Sequence, residues 1–176
     1  MTALRSASRP RRVVLALGSN LGDRLDNLQG ALDALLDSPG LSFLAVSPVY
    51  ETTPVGGPDQ PDYLNAVLVA ETSLSARTIL ERAQGVEDVF QRTREETWGP
   101  RTLDVDVIVY GDEVSDDPEL ILPHPRAHER AFVLAPWHDV DPSAEIPGRG
   151  RVAELLAVAG PYGVRRSADA VLRAPA

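Results

Sequence analysis

The spacing of hydrophobic residues changes along the chain from a strand pattern to a helix pattern and back. Residues 13–17 are all apolar and end at a Gly-Ser-Asn turn, which predicts a short strand. From Asp23 onward leucines recur at helical spacing until Pro39-Gly40, which predicts a helix. Residues 41–51 alternate weakly between apolar and polar side chains and predict a further strand.

A second set of elements follows a loop over residues 52–61, which holds three prolines and two glycines. Residues 63–71 predict a strand. Because side chains alternate between the two faces of a strand, Tyr63 and Asn65 are expected on one face and Leu64 on the other.

The last part of this pattern is a helix and a strand. Ser75 is placed to cap a helix whose apolar stripe runs from Ile79 to Phe90. A polar loop over 91–97 follows it. Residues 103–109 then predict a buried strand, since they are β-branched or apolar at nearly every position except two aspartates.

The order strand, helix, strand, strand, helix, strand is typical of the ferredoxin-like βαββαβ fold of the α+β class. An antiparallel sheet with both helices on one face is therefore expected, and the opposite face is expected to stay available. Residues 111–176 predict additions to this core, namely an acidic, proline-containing loop, a helix around 129–137 and a helical segment over 152–158.

Length and charge indicate one domain over residues 13–176 after a disordered basic tail over 1–12. The tail holds four of the 17 arginines, which leaves 13 arginines against 26 acidic residues and a charge of −13 for the remainder. A body this acidic repels nucleic acid, so no nucleic-acid partner is expected.

Two residue types are absent from the chain. Without lysine it has neither a P-loop lysine nor a Schiff-base lysine. Without cysteine it has no disulfide or thiolate chemistry, as is typical of cytoplasmic proteins. No segment approaches the ~20 apolar residues that cross a bilayer, so neither a membrane association nor a location outside the cytoplasm is expected.

Candidate chemistry is concentrated between Trp98 and Asp106. Asp104 and Asp106 should share one strand face, roughly 6.5 to 7 Å apart at the backbone, and could converge on one or two hard cations. Two buried carboxylates without a cation would cost several kcal/mol. An isolated Asp-x-Asp is at least as often exposed to solvent, but Trp98 and Arg101 beside the pair favour a metal site.

Arginines concentrate in two places. Both could bind phosphate, because a guanidinium matches phosphate geometry with two parallel hydrogen bonds. The first group is Arg92, Arg94 and Arg101. The second is Arg126 and Arg130.

Six motifs occur in one order along the chain. They are Gly18-Ser19-Asn20-Leu21-Gly22-Asp23, the segments 50–56 and 60–65, Arg92-Thr93-Arg94, the nonapeptide 98–106, and the segment 123–132. Over residues 13–148 the chain closely resembles the 6-hydroxymethyl-7,8-dihydropterin pyrophosphokinase family. The resemblance implies an enzyme that transfers pyrophosphate from ATP to the hydroxymethyl group of a reduced pterin in folate biosynthesis, with release of AMP and with two Mg²⁺ ions.

The resemblance also implies roles for individual residues. Asp104 and Asp106 would bind the two Mg²⁺ ions, and Arg92 and Arg101 would be catalytic through contacts with the transferred phosphates. The ATP-binding residues would be Gln84, Glu87, Arg94, Arg101, His124 and Arg130. The pterin-binding residues would be Thr52, Val55, Tyr63, Asn65, Trp98 and Phe132.

The chain departs from the family at Gln91, where glycine is common, and at Thr97, where arginine is frequent. No residue is assigned as general base, and a monomer is expected. Two other functions stay open at this stage. A nucleotide-binding regulatory module would not need the paired aspartates, and a metal-dependent phosphohydrolase would use them to activate water.

Overall fold

The computed structural model describes residues 9–54, 59–91, 102–160 and 163–175. The predicted core consists of β1 (Arg11–Ser19), α1 (Arg24–Asp37), β2 (Leu41–Val46), β3 (Tyr50–Thr52), β4 (Tyr63–Thr72), α2 (Ala76–Phe90) and β5 (Asp104–Tyr110). The elements after it are β6 (Ser115–Asp117), β7 (Leu120–Leu122), a 3₁₀ turn (Ala127–Glu129), α3 (Ala131–Val140), β8 (Glu145–Ile146), β9 (Gly150–Arg151), α4 (Val152–Ala159) and β10 (Val164–Arg166).

The main sheet is antiparallel and has the strand order β10-β3-β4-β1-β5, with β2 also paired to β4. The predicted single strand over 41–51 is wrong, since β2 and β3 are separate strands along one edge of β4. Pro48 lies between them and lacks the backbone N–H that a continuous ladder needs. Ser47 holds the break in place, because its hydroxyl accepts a hydrogen bond from the Val67 N–H at 2.8 Å.

Helices α1 and α2 cover one face of the sheet, as the pattern predicted. Asp23 caps α1 by accepting from the Asp26 N–H at 3.1 Å, and Ser75 caps α2 by accepting from the Thr78 N–H at 3.2 Å. The buried side chains of α1 are Leu28, Ala31, Leu32 and Leu35, and they belong to one core with the inward residues of β1, β4 and β5.

The opposite face was expected to stay available, and that expectation is wrong for half of it. A second core packs Val14, Val67 and Ile108 of the sheet against Leu134 and Trp137 of α3. These strand positions alternate with those of the first core, so this part of the sheet is apolar on both faces. The other half of this face, beyond the N-terminus of α3, remains open.

Two further expectations are corrected. The basic tail predicted over 1–12 is too long, since Arg11 and Arg12 already pair with β4, and Arg12 also binds Asp141 at 3.1 Å. The helix predicted around 129–137 is a 3₁₀ turn followed by α3, and β10 was not predicted at all. The helix predicted over 152–158 corresponds to α4.

Among the described residues, none of the helices combines the length and the apolar character that crossing a membrane requires.

Candidate active site

A cavity of about 490 Å³ lies on the open half of the sheet face, a size typical of small-ligand sites. Eight residues singled out in the sequence line it together. They are Thr52, Tyr63, Asn65, Asp104, Asp106, Arg126, Arg130 and Phe132. The structure thus brings the predicted metal ligands, four of the six predicted pterin-binding residues and both arginines of the second group to one place.

The strand register explains why these residues meet. Across β5, β1 and β4, Asp104 lies opposite Gly18, which lies opposite Asn65. One row along the strands, Asp106 lies opposite Ala16. Residues opposite one another share a face, so the carboxylates stand at one side of the cavity and the Asn65 amide near its middle.

The Asn65 side chain is held in one orientation. It is 7% exposed, and its Nδ2 donates to Oγ1 of Thr52, itself only 4% exposed, at 2.7 Å. Its Oδ1 lies directly over Gly18, where an added Cβ would be 2.9 Å away. The absence of a side chain at Gly18 therefore gives the amide its place over β1.

Gly18→Ala is expected to displace the Asn65 amide, because real Cβ atoms essentially never come so close to a neighbour. We expect kcat/KM for the pterin to fall by about tenfold, a loss of roughly 1.4 kcal/mol of transition-state binding, with little change in KM for ATP. Steady-state kinetics with each substrate varied in turn measures this.

Gly85→Ala is the matched control, since a Cβ at this position in α2 meets nothing within 4 Å. Its activity should stay at the wild-type level and its stability should rise by up to about 1 kcal/mol. Equal pterin kinetics in Gly18→Ala and Gly85→Ala would contradict the role given to Gly18.

Aromatic rings enter the cavity from two elements. Tyr63 comes from β4, and Phe132 comes from the first turn of α3. The Arg130 guanidinium lies 5.5 Å from the centre of the Phe132 ring, in a cation–π arrangement. Rings from the sheet and from a helix, together with a polar amide that lines the same cavity, suit a flat heteroaromatic ligand.

The strand that carries the carboxylates is fixed at its start by α2. Glu87 Oε1 accepts from the Val105 N–H at 2.8 Å, and Gln91 Nε2 donates to the Leu103 carbonyl. Asp104 and Asp106 are partly buried and have interaction partners of their own in the chain. Their backbone is therefore set in place before any ligand binds.

The donor set at this end of the cavity suits magnesium. Asp104 and Asp106 supply carboxylate oxygens, and no group of three or more His, Cys, Asp or Glu residues suitable for a metal occurs within 9–54, 59–91, 102–160 and 163–175. Mg²⁺ is commonly bound by one or two carboxylates and completes its shell with water and phosphate oxygens. Zinc would require more protein ligands, with nitrogen or sulfur among them.

His124 is anchored just outside the cavity. Its N–H donates to the Ile108 carbonyl at 2.8 Å, and its Nδ1 accepts from the Arg126 N–H at 3.2 Å. Burial, followed by the charges of Arg130 and Arg126, lowers the pKa of His124 to about 4. At neutral pH the imidazole is therefore uncharged with its proton on Nε2, which makes it a hydrogen-bond donor suited to a phosphate oxygen.

This lowered pKa predicts a pH dependence of stability. An unfolded chain protonates His124 near pH 6.5, whereas the folded protein keeps it neutral down to about pH 4. Between these values the unfolded state binds more protons, so lowering the pH favours unfolding. Between pH 7 and pH 4.5 the Tm of His124→Gln should fall by less than the Tm of the wild type. Thermal unfolding at both pH values measures this. An identical loss in both proteins would contradict this prediction.

Some predicted site residues are not in the cavity. Gln84 is exposed on α2, and Glu87 contacts the backbone of β5 from the opposite face of the sheet. Their nucleotide contacts stay predictions. Five others, Arg92, Arg94, Arg101, Val55 and Trp98, lie outside the described residues, as does the family departure at Thr97.

The cavity also includes residues that the sequence interpretation missed. Gln60 lines it and is held by Asn20, whose Nδ2 donates to Gln60 Oε1 at 2.8 Å. Gln60 begins one of the six motifs, so a signal for it was present. Gly163 and Val164 also line the cavity, but their sequence carries no comparable motif.

The model of the family described as 7,8-dihydro-6-hydroxymethylpterin-pyrophosphokinase (HPPK) matches residues 14–142. The chain belongs to the HPPK family. It is 40% identical over 156 residues to the 2-amino-4-hydroxy-6-hydroxymethyldihydropteridine pyrophosphokinase of Pseudomonas aeruginosa, which covers 89% of this chain and 96% of that protein. The enzyme of the same name from Mycobacterium tuberculosis is 45% identical over 159 residues, which covers 83% of this chain and 82% of that protein.

Solved HPPK structures confirm the fold. The HPPK-DHPS protein of Plasmodium falciparum superposes with a TM-score of 0.69 at 14% identity, over 92% of this chain and 50% of that chain. The family match confirms the function expected from the sequence. The chain is an ATP-dependent pyrophosphokinase of folate biosynthesis that acts on 6-hydroxymethyl-7,8-dihydropterin.

Proposed function

We propose that the cavity binds both substrates and that pyrophosphate passes there from ATP to the hydroxymethyl oxygen of the pterin, with AMP released. The observation that supports this is the cavity over one sheet face, with two carboxylates at one side, a buried amide near the middle, and one aromatic ring each from β4 and α3. Asp104 and Asn65 are two strands apart, which is roughly 10 Å at the backbone. That span accommodates a pterin ring beside a phosphate chain.

The pterin would bind between Tyr63 and Phe132. Asn65 would read the hydrogen-bonding edge of the ring, because its amide presents both a donor and an acceptor in a fixed orientation. Thr52 supports Asn65 through its hydroxyl. The resemblance alone suggests that Thr52 and Val55 would also give backbone contacts to the ring edge. A buried amide gives strong selectivity, since a ligand without the matching groups leaves it unpaired.

The phosphates would bind at the carboxylate side. Asp104 and Asp106 would hold two Mg²⁺ ions. When bound, these ions would neutralise the negative charge that shifts between phosphate oxygens during the transfer. Arg130 and the neutral His124 would contact the triphosphate, and Arg92, Arg94 and Arg101 are proposed phosphate contacts from the resemblance alone.

The chain's contribution to the reaction is positioning and charge stabilisation. The hydroxymethyl oxygen must lie in line with the phosphorus atom that it attacks, and a rigid slot for the ring fixes that oxygen. Trp98 is proposed to close over the bound pair and exclude water. No general base is assigned to the hydroxyl proton.

A product assay tests this function. With ATP, Mg²⁺ and 6-hydroxymethyl-7,8-dihydropterin, we expect AMP and the pterin diphosphate to form in equal amounts. ADP as product would indicate an ordinary kinase, phosphate release without the pterin would indicate a hydrolase, and the absence of turnover would indicate a binding module. Each of those results would refute the proposal.

We also propose that the protein is a monomer, since the described residues of one chain already bring carboxylates, an amide and aromatic rings to a single cavity. A cytoplasmic location is proposed because the reaction consumes ATP. Sedimentation at micromolar concentration would test the monomer, and a dimer of twice the 19.0 kDa chain mass would overturn it.

A further inference from the structure

The C-terminal strand β10 forms the outer edge of the sheet beside the cavity, although it lies outside the residues that match the family model. Val164 lies opposite Thr52 of β3, and Arg166 lies opposite Tyr50. Strand β3 has only three residues and would be an exposed edge without this partner. Pairing with β10 satisfies its outward backbone groups and holds it in register.

The contact continues past the end of β3. The Thr53 N–H donates to the Gly163 carbonyl at 3.0 Å, and Gly163 adopts a φ of 72° to make this turn. Gly163 and Val164 line the cavity next to Thr52. The C-terminal segment is therefore a wall of the cavity at the end where the pterin is proposed to bind.

Alternate side chains anchor β10 to the surrounding elements. On one face Arg165 binds Glu51 of β3 at 3.0 Å and Asp62, just before β4, at 2.8 Å. On the cavity face Arg166 binds Asp139 of α3 at 2.8 Å. These pairs are half-exposed and stabilise the fold little, but they fix where β10 lies relative to both sides of the cavity.

We propose that Val164 is a specificity-determining residue for the pterin ring, which rests on the function proposed above. In the sheet register Val164, Thr52 and Tyr63 form one row across β10, β3 and β4. Tyr63 supplies an aromatic face in that row, and Val164 supplies an apolar side chain at its outer end. Such a side chain cannot read polar groups, so it selects by the size of the ring that fits beside Asn65.

Enlarging this side chain should weaken binding of the pterin and leave ATP binding intact. For Val164→Phe we expect KM for the pterin to rise by about tenfold or more, with KM for ATP within about twofold of the wild type. Val164→Leu, one methylene larger, should show a smaller rise in the same direction. Val164→Thr, which keeps the shape, should keep KM for the pterin within about threefold.

Val171→Phe is the matched control, because Val171 lies in the same C-terminal segment, is 70% exposed and does not line the cavity. Its kinetics should equal those of the wild type. An unchanged KM for the pterin in Val164→Phe and Val164→Leu would overturn the proposal. Equal increases in both substrate KM values, together with a lower Tm, would overturn it too, because Val164 would then act only through the fold.

The two proposals fail in different ways. If the wild type forms no AMP with the pterin, the proposed function is wrong whatever Val164 does. If the wild type forms AMP and the Val164 variants keep the wild-type KM for the pterin, only the assignment of Val164 is wrong.

Discussion

Asp104→Asn and Asp106→Asn are each expected to lower kcat by roughly 10²–10³-fold, the loss seen when one strong electrostatic group is removed from an active site. Each amide keeps the size of the carboxylate but removes one negative charge from the side of the cavity where we propose that Mg²⁺ binds. A higher Mg²⁺ concentration should be needed for half-maximal rate. The measurement is AMP formation against Mg²⁺ concentration at saturating substrates.

Folding should suffer little in these variants, because each amide keeps the size of the carboxylate and one hydrogen-bonding oxygen. Thermal unfolding without Mg²⁺ is expected to give a Tm within about 4 °C of that of the wild type. Asp112→Asn is the control, since Asp112 follows β5 but its side chain is 99% exposed and outside the cavity. Wild-type rates in both cavity variants would remove the basis for a metal site on β5.

Asn65→Leu is expected to lower kcat/KM for the pterin by on the order of 10², because a site built around hydrogen bonds loses most of its selectivity when its amide is removed. KM for ATP should change little, since Asn65 and the carboxylates lie on different strands. The variant also leaves the buried Thr52 hydroxyl without the donor that it has now, at a cost of about 1–3 kcal/mol in stability.

Thr52→Val separates binding from stability. It breaks the same hydrogen bond from the other side and should cost comparable stability, but the amide remains in the cavity. Kinetics and denaturant unfolding of both variants should therefore show similar losses of stability and a much larger loss of kcat/KM in Asn65→Leu. Equal kinetic losses would mean that Asn65 acts only by supporting the fold.

Much of this fold could be predicted because local patterns and long-range pairing agree. The leucine spacing of α1, the cap at Ser75 and the alternation in β4 are local signals, and each of these elements forms where the pattern indicates. The order of the motifs then indicated the family. The motifs are specific because they hold residues such as Asn65 and Asp104, which are far apart in the sequence and come to one face of the sheet only in the folded protein.

Other features depended on contacts that no local pattern records. The break between β2 and β3 results from Pro48 and from the pairing of Ser47 with Val67. The apolar residues of α3 indicated a helix, but not that it would cover half of the second sheet face. Strand β10 is three residues long, two of them arginines, and only its pairing with β3 makes it a strand.

The position of β10 in the chain also matters during synthesis. Domains generally begin to fold from the N-terminus while translation proceeds, and β10 is made after every other strand that the structure describes. A nascent chain could thus assemble β1, β4 and β5 on the ribosome while the outer wall of its substrate pocket is still being translated. We expect each newly synthesised molecule to gain its selectivity for the ligand in the last stage of folding, after its core has formed.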